Sequence, residues 1–112
     1  MEDRYLFKGK EKDSGKWLEW NVMEGIPHNV TILTNTICQC TGLKDKNGKL
    51  IWENDVVKIN NSKVNTLITF RDFEIICTIP NEKYYKHRLE YDTEYEVIGN
   101  VFDNPELLEV QE

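Results

Sequence analysis

A chain of 112 residues, 39% of them apolar, has the size and material for one domain around one core, with three Trp, five Tyr and four Phe as large rings to bury. It contains no apolar run of membrane-spanning length, and Met1-Glu2-Asp3-Arg4 opens no secretion signal, so the expected setting is the cytoplasm. Residues 1–58 balance nine Lys/Arg against nine Asp/Glu, whereas residues 59–112 set five against eleven and hold the whole net charge of −6, which argues against a general nucleic-acid binder.

Along the chain, short strand patterns alternate with turn chemistry. Arg4-Tyr5-Leu6-Phe7 and Lys16 to Trp20 flank Asp13-Ser14-Gly15 and read as a hairpin. Pro27-His28-Asn29 breaks the chain before a β-branched run from Val30 to Ile37, which predicts a strand. Asn47-Gly48, with Leu43 on one side and Leu50-Ile51-Trp52 on the other, predicts a hairpin with a type I′ turn. Glu53-Asn54-Asp55 turns into Val56 to Ile59, and Asn60 to Lys63 turns into Val64 to Phe70. Phe73 to Ile79 follows and stops at Pro80.

Asn81 to Glu94 reads two ways. Tyr84, Arg88, Tyr91 and Tyr95 recur at helical spacing behind the capping residue Asn81, and a long polar hairpin loop fits as well. Tyr95 to Phe102 returns to a strand, with Gly99 as a bulge or close-approach point. Asn104-Pro105-Glu106-Leu107-Leu108 predicts a short C-terminal helical turn. The expectation is an all-β fold, a barrel or sandwich of short strands. No repeat, linker or low-complexity segment divides it, so residues 1–112 read as a single domain.

Three blocks carry a family resemblance. They are Leu6 to Lys10 with Asp13 to Glu19, then Cys38 to Val57, which contains Thr41-Gly42-Leu43-Lys44-Asp45 and Ile51-Trp52-Glu53-Asn54-Asp55, and last Tyr95 to Leu108, which contains Ile98-Gly99-Asn100-Val101-Phe102-Asp103. In content and order they resemble the YopX family of phage and prophage proteins. The chain departs from the family pattern at Cys40, where an aromatic is more usual, and at Asn54, where Gly is more usual. Asn is the next best residue at positive φ, so the second departure is mild. The resemblance implies a mainly β fold with an SH3-like barrel core, extra strands or hairpins, and no established reaction.

Candidate chemistry is thin. Cys38 and Cys40 on a strand face the same way, and with Cys77 and His28 or His87 they would make four zinc ligands. C-x-C is not a usual zinc spacing, and a buried thiol packs as a small apolar residue, so no metal and no cofactor are expected. Ser14 and Ser62 lie in turns with no His nearby in sequence, and no carboxylate pair stands in an apolar setting, so no enzyme is expected. Trp17, Trp20 and Trp52 are core rings by default and interface rings otherwise.

The leading reading is a phage accessory protein acting by binding, self-associating to cover strand edges, with an unknown host protein or small ligand as partner and neither direct nucleic acid nor membrane. Its candidate interaction surface is the hairpin tip Lys44, Asp45, Lys46 and Asn47 together with the acidic residues Glu90, Asp92 and Glu94. One alternative makes those carboxylates, with Glu96, a nucleic-acid mimic that occupies a host DNA-binding protein. Another is a hydrolase or metal enzyme whose site, lined by Cys77, His87 and carboxylates, assembles only in three dimensions.

Overall fold

The computed structural model describes residues 3–71, 74–79, 87–88 and 93–108. The described strands are β1 (Leu6–Lys10), β2 (Trp17–Asn21), β3 (Cys38–Lys44), β4 (Leu50–Trp52), β5 (Asp55–Ile59), β6 (Thr66–Arg71), β7 (Glu74–Thr78), β8 (His87–Arg88) and β9 (Tyr95–Asn100). Short 3-10 turns occupy Asp3–Tyr5, Thr34–Thr36 and Pro105–Leu108. The fold is all-β. Four strands form one antiparallel sheet in the order β2-β1-β3-β4, and five form another in the order β8-β7-β6-β5-β9. Among the described residues these are two open ladders. No pairing closes one edge on another into a barrel.

Turn chemistry explains most of the connections. The first hairpin pairs Phe7 with Trp20 and Lys8 with Glu19, as its flanking pattern implies. The Asn47-Gly48 hairpin forms where expected, but its turn is not type I′. Gly48 N–H donates to Asp45 C=O at 3.0 Å, and Gly48 has φ of 81° while Asn47 stays out of the left-handed region. The reason is Asp45, whose Oδ1 accepts the N–H of Asn47 and of Lys49, each at 2.9 Å, and so holds a wider loop. Type I′ character appears instead between β5 and β6. There Ser62 N–H donates to Ile59 C=O at 2.8 Å, and both central residues, Asn60 (φ 48°) and Asn61 (φ 63°), are left-handed.

A second expectation needs correction. Val30 to Ile37 is not a strand. It contributes one bridge, Ile32 to Glu11, before turning at Thr34–Thr36. The Thr36 hydroxyl donates to Leu33 C=O at 2.6 Å and accepts from Lys10 N–H at 2.9 Å, a local bond that competes with the extended form the β-branched run favours. The helical reading of Asn81–Glu94 fails at His87 and Arg88, whose backbone pairs with Cys77 and Ile76 as β8. Residues 81–86 and 89–92 of that stretch lie outside the described residues.

Two apolar clusters hold the sheets. One gathers Ile51, Val57, Ile68, Cys77 and Tyr95; the other gathers Cys38, Cys40 and Trp52 with Leu6, Trp17, Leu50 and Phe102 packed on it. Strand β4 serves both, because alternate side chains point to opposite faces: Ile51 enters the first cluster while Leu50 and Trp52 enter the second. The turn Glu53-Asn54 then carries the chain from one sheet into the other. Asn54, left-handed at φ 72°, donates its N–H to Ile68 C=O at 2.8 Å and accepts from Val101 N–H at 3.1 Å. This seam between the sheets is where the candidate site lies.

Strand β9 bends at the seam. Its register against β5 shifts between Val56, opposite Gly99, and Val57, opposite Val97, which leaves Ile98 as the extra residue of a bulge. Gly99 makes room there. A Cβ would stand 2.5 Å from Asn104 Oδ1 and 2.7 Å from Leu107 Cδ1, so the side chains of the C-terminal turn would have to shift to admit one.

Candidate functional site

At the seam the described residues enclose an open cleft of about 510 Å³. Lys8 on β1 and Glu19 on β2 form one wall, and Lys49, Leu50, Trp52 and Asp55 form the floor around the sheet-to-sheet turn. The bulged end of β9, residues 97–100, and Asp103 and Asn104 after it form the other wall. Each of these positions belongs to one of the three blocks read from the sequence, although the walls are separated by most of the chain.

Lys8 sits in an unusual place for a strand lysine. Its Nζ is 4.7 Å from the ring centres of both Trp17 and Trp52, so the ammonium lies against two indole faces. Its cross-strand neighbour is Glu19, yet among the described residues the two make no ion pair. Beside it, Asp103 ties the walls together by accepting from the Lys10 ammonium, from Trp17 Nε1 at 2.9 Å and from Asn100 Nδ2 at 3.2 Å. The Lys10 bond, helped by that of Trp17, pulls the Asp103 carboxyl down to about 2. Trp17 also meets Phe102 edge-on, with centroids 5.9 Å apart.

Asp55 is the buried carboxyl of the floor, only 3% exposed. Its Oδ2 accepts Trp52 N–H at 2.8 Å and so closes the turn between the sheets. Burial pushes it up to about 6, against the Trp52 bond and the charges of Lys8 and Lys49, which pull it down. A carboxyl that changes charge near neutrality, two lysines and the amides of Asn100 and Asn104 give the cleft the means to hold a polar ligand.

The surface candidates from the sequence fall elsewhere and are split. Lys44, Lys46 and Asn47 are exposed at the hairpin tip, but Asp45 turns inward and is 7% exposed. Besides its two bonds within the tip it accepts Val97 N–H at 2.9 Å. Burial alone would raise Asp45, but the N–H groups of Val97, Lys49 and Asn47 and the charge of Lys49 bring it below the ordinary carboxylate value. Lys46 reaches Glu94 at 3.9 Å and Glu96 at 3.8 Å, so tip and acidic segment do meet. Glu90 and Asp92 lie outside the described residues.

The thiols do not assemble as a ligand set. Cys38 and Cys40 share a face of β3 inside one cluster, and Cys77 belongs to the other. Burial raises all three, Cys77 to about 12. His28 is exposed, and the His87 side chain is outside the described set. Among the described residues no group of three or more His, Cys, Asp or Glu is placed to hold a metal. Ser14 and Ser62 accept the N–H two residues on, at 3.2 Å and 3.1 Å, as turn formers do. No described helix is long and apolar enough to cross a membrane.

Sequence reasoning missed Lys8, Asp55 and Asp103 as site residues, because none has a partner at a recognisable spacing. The one local sign was Asp55, a carboxylate set between the apolar runs Leu50-Ile51-Trp52 and Val56-Val57.

Two antiparallel sheets of short strands, meeting at a mixed-charge cleft, define the molecule as a small all-β domain with a seam site. Residues 2–109 match the family model described as YopX protein. The chain belongs to the YopX family. No curated protein matches it.

Proposed function

We propose that this chain is a phage or prophage accessory protein that works by binding, in the cytoplasm of the bacterial host, as a self-associating molecule with the seam cleft as its binding site. The observation that carries the reading is convergence: three blocks spread from Leu6 to Leu108 supply every residue of one cleft. Residues that served shape alone would have no reason to bring Lys8, Lys49 and Asp55 to one cleft. The partner, a host protein or a small ligand, is recovered by capturing tagged chain from phage-infected cells beside a Lys8→Glu variant. A partner held by the parent chain and lost by the variant supports the reading, and identical recovery by both overturns the cleft as the site.

Self-association is supported by sheet edges that have no partner strand among the described residues. β2 and β4 end the first sheet, and Val22, Met23 and Ile26, which follow β2, are 55%, 80% and 46% exposed. Sedimentation at micromolar concentration is expected to give a species heavier than 13.3 kDa, and monomer alone would refute this part.

A further inference from the structure

We infer that the seam cleft takes a small organic anion, a carboxylate or a phosphate monoester, whose charged group is received by the Lys8 ammonium between Trp17 and Trp52. The inference rests on the reading of the cleft as a binding site and adds the chemistry of its ligand.

Lys8 supplies the first argument. An ammonium carries three N–H donors and no acceptor. Indole faces attract its charge but leave those donors unused, and among the described residues Lys8 Nζ has no hydrogen bond or ion pair. The strand register offers Glu19 as a partner, and the side chain leans to the rings instead. The other acids of the cleft are engaged: Asp103 by Lys10, Trp17 and Asn100, and Asp55 by the Trp52 N–H. A cation with open donors thus lines a cavity in which Asp103 and Asp55 are bonded to other groups and Glu19, across the strand pair, is not bonded to it.

The surroundings narrow the ligand. Lys49 places a second positive charge on the same cleft, and Leu50 and Val97 add apolar wall for a carbon body. A volume of about 510 Å³ suits a small molecule. Two lysines in a chain of net charge −6 suit one compact anion and not a phosphate polymer, whose affinity needs many cations side by side. Lys8 is half-buried, so its attraction for an anion is screened less than that of a surface lysine.

The test titrates the full chain with benzoate, phenyl phosphate, inorganic phosphate and benzyl alcohol, followed by calorimetry and by the indole N–H signals. Trp17 and Trp52 flank Lys8, while Trp20 lies on the opposite face of β2 and serves as the internal reference. At least one organic anion is expected to saturate with shifts at Trp17 and Trp52 but not Trp20, binding about tenfold or more tighter than benzyl alcohol. Lys8→Gln is expected to lose about tenfold or more in that affinity, Lys8→Arg to keep most of it, and Lys12→Gln to keep all of it. Lys49→Gln, at an exposed position, keeps the test decisive if Lys8→Gln does not fold: it weakens the anions and leaves benzyl alcohol unchanged. Absence of saturable binding by both organic anions overturns the inference, as does inorganic phosphate binding equally well or Lys8→Gln binding like the parent. Benzyl alcohol shifting Trp17 and Trp52 where the anions do not would sink the anion and leave the cleft as a binding site.

Discussion

Asp45 and Asp55 are largely buried carboxylates ten positions apart, and their surroundings push them in opposite directions. Asp45 accepts three backbone N–H groups from two segments, so its charge is welcome. Asp45→Ala would orphan those donors and is expected to cost about 2–4 kcal/mol, read as a lower urea midpoint with an unchanged slope. Asp55 accepts one described N–H, and burial favours its neutral form. Its folded value of about 6 exceeds the unfolded 3.8, so between these values the folded chain holds the proton more often. Stability from this group is therefore present at low pH and lost as pH rises through about 6, by roughly 3 kcal/mol at most. Asp103, held down to about 2, has the opposite sign: its contribution is present above 3.8 and lost as pH falls toward 2. Asp55→Asn is expected to remove the first slope alone, so urea unfolding from about pH 4 to about pH 7 should show the variant gaining on the parent as pH rises.

The bulged end of β9 and the C-terminal 3-10 turn work as one unit, because the turn lies where the Gly99 side chain would be. Gly99→Ala is expected to displace Pro105–Leu108 and cost about 1–3 kcal/mol, seen as faster amide exchange at Leu107 and a lower melting temperature. Asn61→Gly, in the turn where two successive asparagines hold positive φ, is expected to raise stability by about 0.5–1 kcal/mol in the same melt. Elements of this size were largely legible in the sequence. Gly15, Asn54 and Pro105 act on their own backbone, so their turns and closing helical turn could be read without knowing the fold. Other features depended on distant partners. Val30 to Ile37 has strand composition, but the Thr36 hydroxyl bonds to Leu33 and Lys10, and the latter contact is invisible to a local window. Which Asn turn becomes type I′ was decided by the Asp45 side chain. The partition of β4 and β5 into different sheets, and with it the cleft, needed Lys8, Asp55 and Asp103 to meet from three separate stretches.

The two sheets share their supports. Ile51 of the first packs in the core of the second, and the Asn54 backbone bonds to Ile68 and Val101. The second sheet's core needs Ile51 of the first, and Phe102, just past β9, packs on the first sheet's core, so unfolding is expected to be a single transition. All three tryptophans lie in the first sheet and Cys77 in the second. Tryptophan emission and Cys77 labelling in urea should therefore give one midpoint, and two separated midpoints would show that the sheets open independently. The same coupling bears on how the molecule is made. Asp103 bonds across 93 residues to Lys10 and across 86 to Trp17. A chain emerging from the ribosome therefore cannot shut its seam until the last strand is out, however early the first hairpin pairs. Until then Trp17 and Leu50 stay wet, and that interval of translation is when the growing polypeptide is most open to adhesion by other unfolded chains.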